Sequence, residues 1–499
     1  MNSYLHKIIK RVCLSIHPFL LFTFLSFQSS ASFYYTPALE KAYKDILELK
    51  IEPAKQLISI EQIKDPSNGI AVYLQSLAET SELFLSEDIP KYQIAKSSEA
   101  AYLKAIGNND QKTSPYYKFC MAEIKLQWAF AKMKFGDEVG AVLECKQSLS
   151  LLNENLQRYP TFVPTKKSLG LLNIVLGSIP SSYSWLASTL GFSGNVDTGM
   201  NMLEEVAGSK TIFYQEALMM KILAEQYILN KDEKMIGIKQ LHDQHPSNLL
   251  YTYLYAAILS KHSQSETALL IIRHVPSGED YLKFPFIDYL HGDLLLQNGN
   301  YVASRIYFNK FLLNFKGKNL LKDTYYKLFL SYWLNNEDAA AMTYWRLIPT
   351  LGQTVYESDK YANKIALSNE LPDKKLAMIR LFTDGGLYTK ALAILNETNI
   401  SDFYLKKDKI EYYYRAARLY HKSGRIHEGI EYYKKVISVS NGTNYYFAPN
   451  SALQLGYIYQ QLANKELAVY YFNMAISYKN HEYENSIEQK AKAGLNQLK

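Results

Sequence analysis

The stretch Leu453-Gln-Leu-Gly-Tyr-Ile-Tyr-Gln-Gln-Leu-Ala-Asn-Lys-Glu-Leu-Ala-Val-Tyr-Tyr-Phe-Asn-Met-Ala475 decides the fold. It reads as two helices joined by a short turn near Ala463-Asn464. Gly456 in the first helix and Ala468 in the second are small enough to let the two backbones approach. Tyr459 and Phe472 stand a turn away and fill the gap beside that crossing.

Leu455-Gly456, Tyr459, Ala468, Phe472 and Ala475 carry the spacing of positions 7–8, 11, 20, 24 and 27 of a tetratricopeptide unit. The stretch resembles that family, whose unit is two antiparallel helices in about 34 residues. With the residue at position 8 as anchor, the register extends backwards through Ala417, Ile379, Phe329, Gly292, Ala256 and Ile222. Each anchor brings its own turn or second-helix signals, such as Gly424 and Tyr433, or Ala341 and Trp345. Further upstream Gly170, Ala129, Ala78 and Ala42 continue the series with longer helices. The expected fold is an all-α solenoid of about eleven helix pairs. The polar segment Glu482–Leu498 is expected to cap it, as solenoid ends require.

Composition agrees with that reading. Of 499 residues, 48% are apolar, and glycine (23) and proline (15) are too scarce for a turn-rich β fold. The net charge of +7 includes Lys7, Lys10 and Arg11, and without those three it is +4. No Lys/Arg block interleaves with aromatics, so no nucleic-acid partner is expected. Residues 1–32 read as a signal peptide. A basic start precedes the apolar run Phe19–Leu25, and Ser30-Ala31-Ser32 supplies the small residues of a cleavage site. His17-Pro18 interrupt the run and shorten it for a membrane span. Export to a periplasm, cell envelope or the exterior is expected, and membrane association stays open. After cleavage Cys120 and Cys145 remain, too few for a disulfide framework, and their register favours free thiols.

The period divides the chain into a signal peptide (1–32), long-helix repeats (33–160), a repeat with an insertion (161–215), regular repeats (216–350), a connector (351–372), further repeats (373–480) and the cap (481–499). In the insertion, the helix Lys166–Leu176 ends at Gly177-Ser-Ile-Pro180. A short helix over 181–190 follows, then the glycine-rich turn Gly191-Phe-Ser-Gly-Asn195 and a helix through Gly199 and Leu203. Leu169-Gly-Leu-Leu, Ile179-Pro180, Gly191–Asn195, Gly199 and Leu203 together resemble the core of a eukaryotic tetratricopeptide family, that of the yeast inclusion-body-clearance protein and its animal relatives. The resemblance covers roughly 40 residues. It implies an all-helical scaffold connected with lipid droplets or protein quality control, with no catalytic residues to carry over. The export segment sets this chain apart from the intracellular members.

Catalytic and nucleotide-binding signatures are missing from the sequence, so neither an enzyme nor a cofactor is expected. His242 and His245 are closely spaced, but at a helix end before Pro246 they read as carbonyl caps. Position 5 of the first helix, which lines the concave face in such arrays, is tyrosine in four units: Tyr253, Tyr289, Tyr326 and Tyr414. Phe286, Trp333, Arg418 and Tyr457 occupy neighbouring concave positions. A groove of tyrosines offers flat apolar area with polar tips and suits a protein or peptide partner. Glycan capture in the manner of SusD-like proteins is the alternative, opposed by the four tryptophans and the lack of a lipobox.

Overall fold

The computed structural model describes residues 33–178, 191, 194–229, 235–368 and 370–498. Among the described residues every regular element is a helix. All eleven anchors lie in the first helix of a helix pair. The pairs run from Pro37–Leu47 with Ile51–Lys64 to Phe447–Gln461 with Lys465–Ser477. Many first helices start where an oxygen-bearing side chain can accept an orphan backbone N–H. Thr36 accepts from Leu39 N, Asn68 from Ile70 N, Asn248 from Tyr251 N and Asp373 from Leu376 N.

The C-terminal crossing shows why the register is so strict. Phe472 is fully buried, and its ring lies where a Cβ on Gly456 would stand 2.5 Å from Cδ1. On its other edge a Cβ on Gly494 would stand 2.5 Å from Cζ. The ring is therefore wedged between two glycine backbones, one in its own repeat and one in the final helix Glu484–Gln497. Packing of this kind holds the last helix down through Ile487, Ala491 and Gly494, a buried stripe on an otherwise polar sequence.

Two sequence expectations change in detail, and part of a third lies outside the described residues. The second helix of the Ala78 unit is broken into Ile89–Ala95 and Ser98–Gly107. The connector contains a helix, Glu357–Ser368, packed on Leu321–Trp333. Its Asp359 carboxylate accepts from the backbone N–H groups of Leu320 (2.7 Å) and Asp323 (3.0 Å), at the start of its neighbour. In the insertion, residues 181–190 and Phe192-Ser193 lie outside the described residues. The flanking glycines serve close approach: a Cβ on Gly199 would stand 2.5 Å from the Gly170 carbonyl oxygen, so helices Thr165–Gly177 and Val196–Ala207 touch backbone to backbone.

A buried charge network ties the N-terminal repeats together. The Lys167 ammonium is 2.8 Å from Glu123 and 3.0 Å from Glu216, and the Tyr43 hydroxyl donates to Glu216 at 2.5 Å. Ser168 donates to the other Glu123 oxygen. These contacts join four helices of different units.

The superhelix also folds back on itself. Leu282 N donates to Leu49 O (2.7 Å), and Glu87 accepts from Asn319 (2.7 Å) while pairing with Lys134 (2.6 Å). Ser265 donates to Gly385 O at 2.6 Å, and Gln497 donates to Leu229 O at 3.0 Å. These contacts join repeats far apart in sequence.

Candidate functional site

The concave faces of the repeats from Ala256 to Gly456, with the connector and final helices, enclose a cavity of about 690 Å³. Its floor is aromatic. Tyr361 of the connector helix packs edge-on against Tyr326 (5.9 Å) and Tyr446 (6.1 Å) and stacks with Tyr483 (5.8 Å). Tyr446 in turn meets Tyr414 at 5.6 Å, edge-on. Burial pushes the phenol of each of Tyr361, Tyr414, Tyr446 and Tyr483 above its ordinary value, so these rings are neutral hydrogen-bonding surfaces. Asn450 donates to the Tyr414 hydroxyl at 2.7 Å.

The walls are charged, and the repeat register explains which residues face inward. Arg380 and Arg418 both occupy position 9 of their first helices, one residue after the anchors Ile379 and Ala417, and Asp384 occupies position 13 of the Ile379 unit. Arg418 and Asp384 therefore face each other across adjacent first helices and pair at 2.8 Å. Burial would raise the Asp384 carboxyl, but Arg418, Arg380 and Arg415 outweigh it and hold it below its ordinary range. Arg415 pairs with Glu411 one turn earlier on the same helix at 2.6 Å. Glu411 is likewise lowered, its burial being overcome by Arg415. On the opposite wall Lys327 sits 2.6 Å from Asp293 and 3.2 Å from Asp323. It also donates to the Tyr289 hydroxyl at 2.8 Å.

Four further cations line the cavity outside these pairs, Lys261, Arg380, Lys422 and Lys490, of which Lys422 donates to the Ser263 hydroxyl at 2.9 Å. Among the described residues Arg380 forms no ion pair, and its guanidinium carbon lies 5.8 Å from the centre of the Tyr326 ring. Lys490, on the final helix, also lines the cavity, and burial together with nearby Lys261 lowers its ammonium.

Of the residues expected at the groove, Tyr326, Tyr414, Arg418 and Tyr457 line this cavity. Tyr326 and Tyr414 are only 3% and 1% exposed, so they are wall and core at once. Tyr289 stands behind the wall, its hydroxyl engaged by Asp323 and Lys327. Tyr253 and Phe286 belong elsewhere, in a cluster with Phe284 and Leu49 where the first repeat packs against the middle of the array. Trp333 stacks on Phe329, donates to Pro372 O at 3.0 Å and lies under the Lys374 ammonium (4.3 Å). The four position-5 tyrosines thus do not form one ladder, because folding back covers the earlier units.

Sequence reasoning missed Tyr361, Arg380, Arg415, Tyr446, Tyr483 and Lys490. The position-9 rule reaches Arg380 once the weak Ile379 anchor is accepted. Tyr361 and Lys490 lie in helices outside the repeat period, Tyr483 just before the last of them, and no spacing points to them.

His242 and His245 turn to different partners, Thr252 (3.3 Å) and Gln215 (2.6 Å). No group of three or more His, Cys, Asp or Glu that could hold a metal occurs among the described residues. Cys120 is buried, Cys145 is half-buried and both are free. No helix among the described residues is long and apolar enough to cross a membrane. A second cavity of about 360 Å³ in the N-terminal half is largely apolar, and Lys167, Glu123 and Glu216 on its wall satisfy one another.

Comparison with known proteins places the tetratricopeptide repeat family on residues 410–443, the Ala417 unit. No curated protein matches the chain. Among solved structures, the chain is similar to one from the crystal structure of the APC/C hetero-tetramer Cut9-Hcn1, at 11% identity and a TM-score of 0.30, covering 93% of this chain and 96% of that one.

Proposed function

We propose that this tetratricopeptide-repeat protein, a helical scaffold for protein interaction, is exported, has no catalytic role, and holds a segment of its partner in the C-terminal cavity. The cavity itself carries the reading. At about 690 Å³ it falls within the range of about 300–1,000 Å³ typical of ligand pockets. Its lining is rich in tyrosine and arginine, residue types enriched at recognition surfaces. Its charged pairs are salt bridges within and between helices, and none is arranged as a nucleophile beside a base.

Export rests on residues 1–32 and on where the packed core begins. Phe33, the first residue after the Ser30-Ala31-Ser32 site, is only 9% exposed and meets Tyr117 edge-on at 6.3 Å. A chain cut there keeps every described core residue.

Site-specific photo-crosslinking in the native cell tests the binding reading. A photoreactive residue at Tyr457, on the cavity wall, should capture a discrete protein. The same residue at Tyr470, which is 55% exposed on the outer face, should not. Capture at Tyr470 alone would move the binding surface to the outside and end the cavity reading.

A further inference from the structure

We propose that the segment entering the cavity is acidic, with two separated carboxylates that meet Arg380 and Lys490. The inference rests on the cavity reading above and adds the chemistry of its occupant.

The charges on the page decide the sign. Of the carboxylates facing the cavity, Asp293 and Asp323 are neutralised by Lys327, and Asp384 by Arg418. Arg415 is neutralised by Glu411. Arg380 lines the cavity partly buried and forms no ion pair among the described residues, with Asp384 and Glu411, both already paired, as the carboxylates in its field. Burying a guanidinium without an anion is costly. Its position over the Tyr326 ring offsets a small part of that, on the order of 0.5–2 kcal/mol for a cation–π contact. An incoming carboxylate would supply the missing charge and accept from the guanidinium fork, which suits a planar bidentate anion. Lys490 presents the same opportunity from the other side, an ammonium whose charged form is disfavoured by burial and by Lys261.

Spacing favours an extended occupant over one compact anion. Arg380 stands on the repeat helix Lys374–Gly385 and Lys490 on the final helix Glu484–Gln497, two different elements of the cavity wall. A single sulfate or phosphate reaches one of them. A peptide with acidic residues a few positions apart reaches both, and the tyrosine floor between offers its backbone and methylenes a flat surface.

The test is fluorescence anisotropy on the purified full chain with three probes. These are a labelled peptide alternating glycine and glutamate, the same peptide with glutamine, and inorganic sulfate as competitor. The acidic peptide should bind, weaken with added salt, and lose about tenfold or more in affinity in Arg380→Met and in Lys490→Met. Lys465→Met, at an exposed residue outside this cavity's lining, should bind as the parent does. Circular dichroism checks the folding of each variant. If Arg380→Met fails to fold, Lys490→Met and the charge-preserving Arg380→Lys carry the comparison. Equal binding of the glutamate and glutamine peptides overturns the proposal, as does indifference to both substitutions or no binding of the acidic peptide. Displacement by sulfate at equimolar concentration reduces the site to one for a compact anion and also overturns it. Partner capture at Tyr457 is independent of all these outcomes, so the acidic inference can fail while the cavity reading stands.

Discussion

Replacing Gly456 by alanine probes the packing that defines the repeat. In an ordinary helix this change is favourable by about 1 kcal/mol. Here the new Cβ would stand 2.5 Å from Phe472 Cδ1 and 2.6 Å from Cε1, where carbon atoms ordinarily sit about 3.5–4 Å apart. The ring must retreat by about 1 Å. Its escape is blocked, because its far edge already occupies the space where Gly494 lacks a side chain. The overpacking cost should therefore lie in the upper part of the usual range, about 2–3 kcal/mol. Set against the gain in helix propensity, a net loss of about 1–2 kcal/mol remains. Gly107, the last residue of Ser98–Gly107, has nothing within 4 Å of a built Cβ and is the control: alanine there should be neutral or stabilising. Urea unfolding supplies the free energies, and amide exchange should place the damage in residues 447–497, since solenoid repeats couple mainly to their neighbours. Adding Phe472→Leu should restore part of the loss, a non-additivity expected of residues in contact. Equal effects at Gly456 and Gly107, or strict additivity with Phe472→Leu, would refute the wedge.

Lys167→Met should destabilise the N-terminal repeats by about 3–5 kcal/mol in denaturant titration, because it strands Glu123 and Glu216 in the core. His291 is stacked on Tyr307 at 3.7 Å, and burial, with Arg273 and Lys310 nearby, pushes its pKa down to about 4. The unfolded chain, whose histidine titrates near about 6.5, then binds the extra proton first. This contribution to stability is complete above that value and is lost as pH falls towards 4. His291→Phe should flatten the loss of melting temperature measured over that interval. Intact mass of the protein recovered from the cell exterior or envelope should correspond to a chain beginning near Phe33, and retention of residues 1–32 would contradict cleavage.

Much of this was legible in one dimension because a repeat is a local object. Gly456, Ala468 and Phe472 lie within one unit, so the contacts that select them span at most about 16 residues and leave a fixed spacing behind. The same holds for Arg418 and Tyr457, whose inward direction follows from their place one residue after an anchor. Tertiary structure decided what the spacing cannot encode. Tyr253 and Phe286 follow the same groove rule as Tyr326 and Tyr414, yet packing of Leu49 and Leu282 from distant units closes over them. Tyr361 and Lys490 reach the cavity only because helices outside the period pack across its ends. Local periodicity records which face of a helix is inward. Which inward faces stay open is set by the small rotation between successive repeats, summed until the array meets itself.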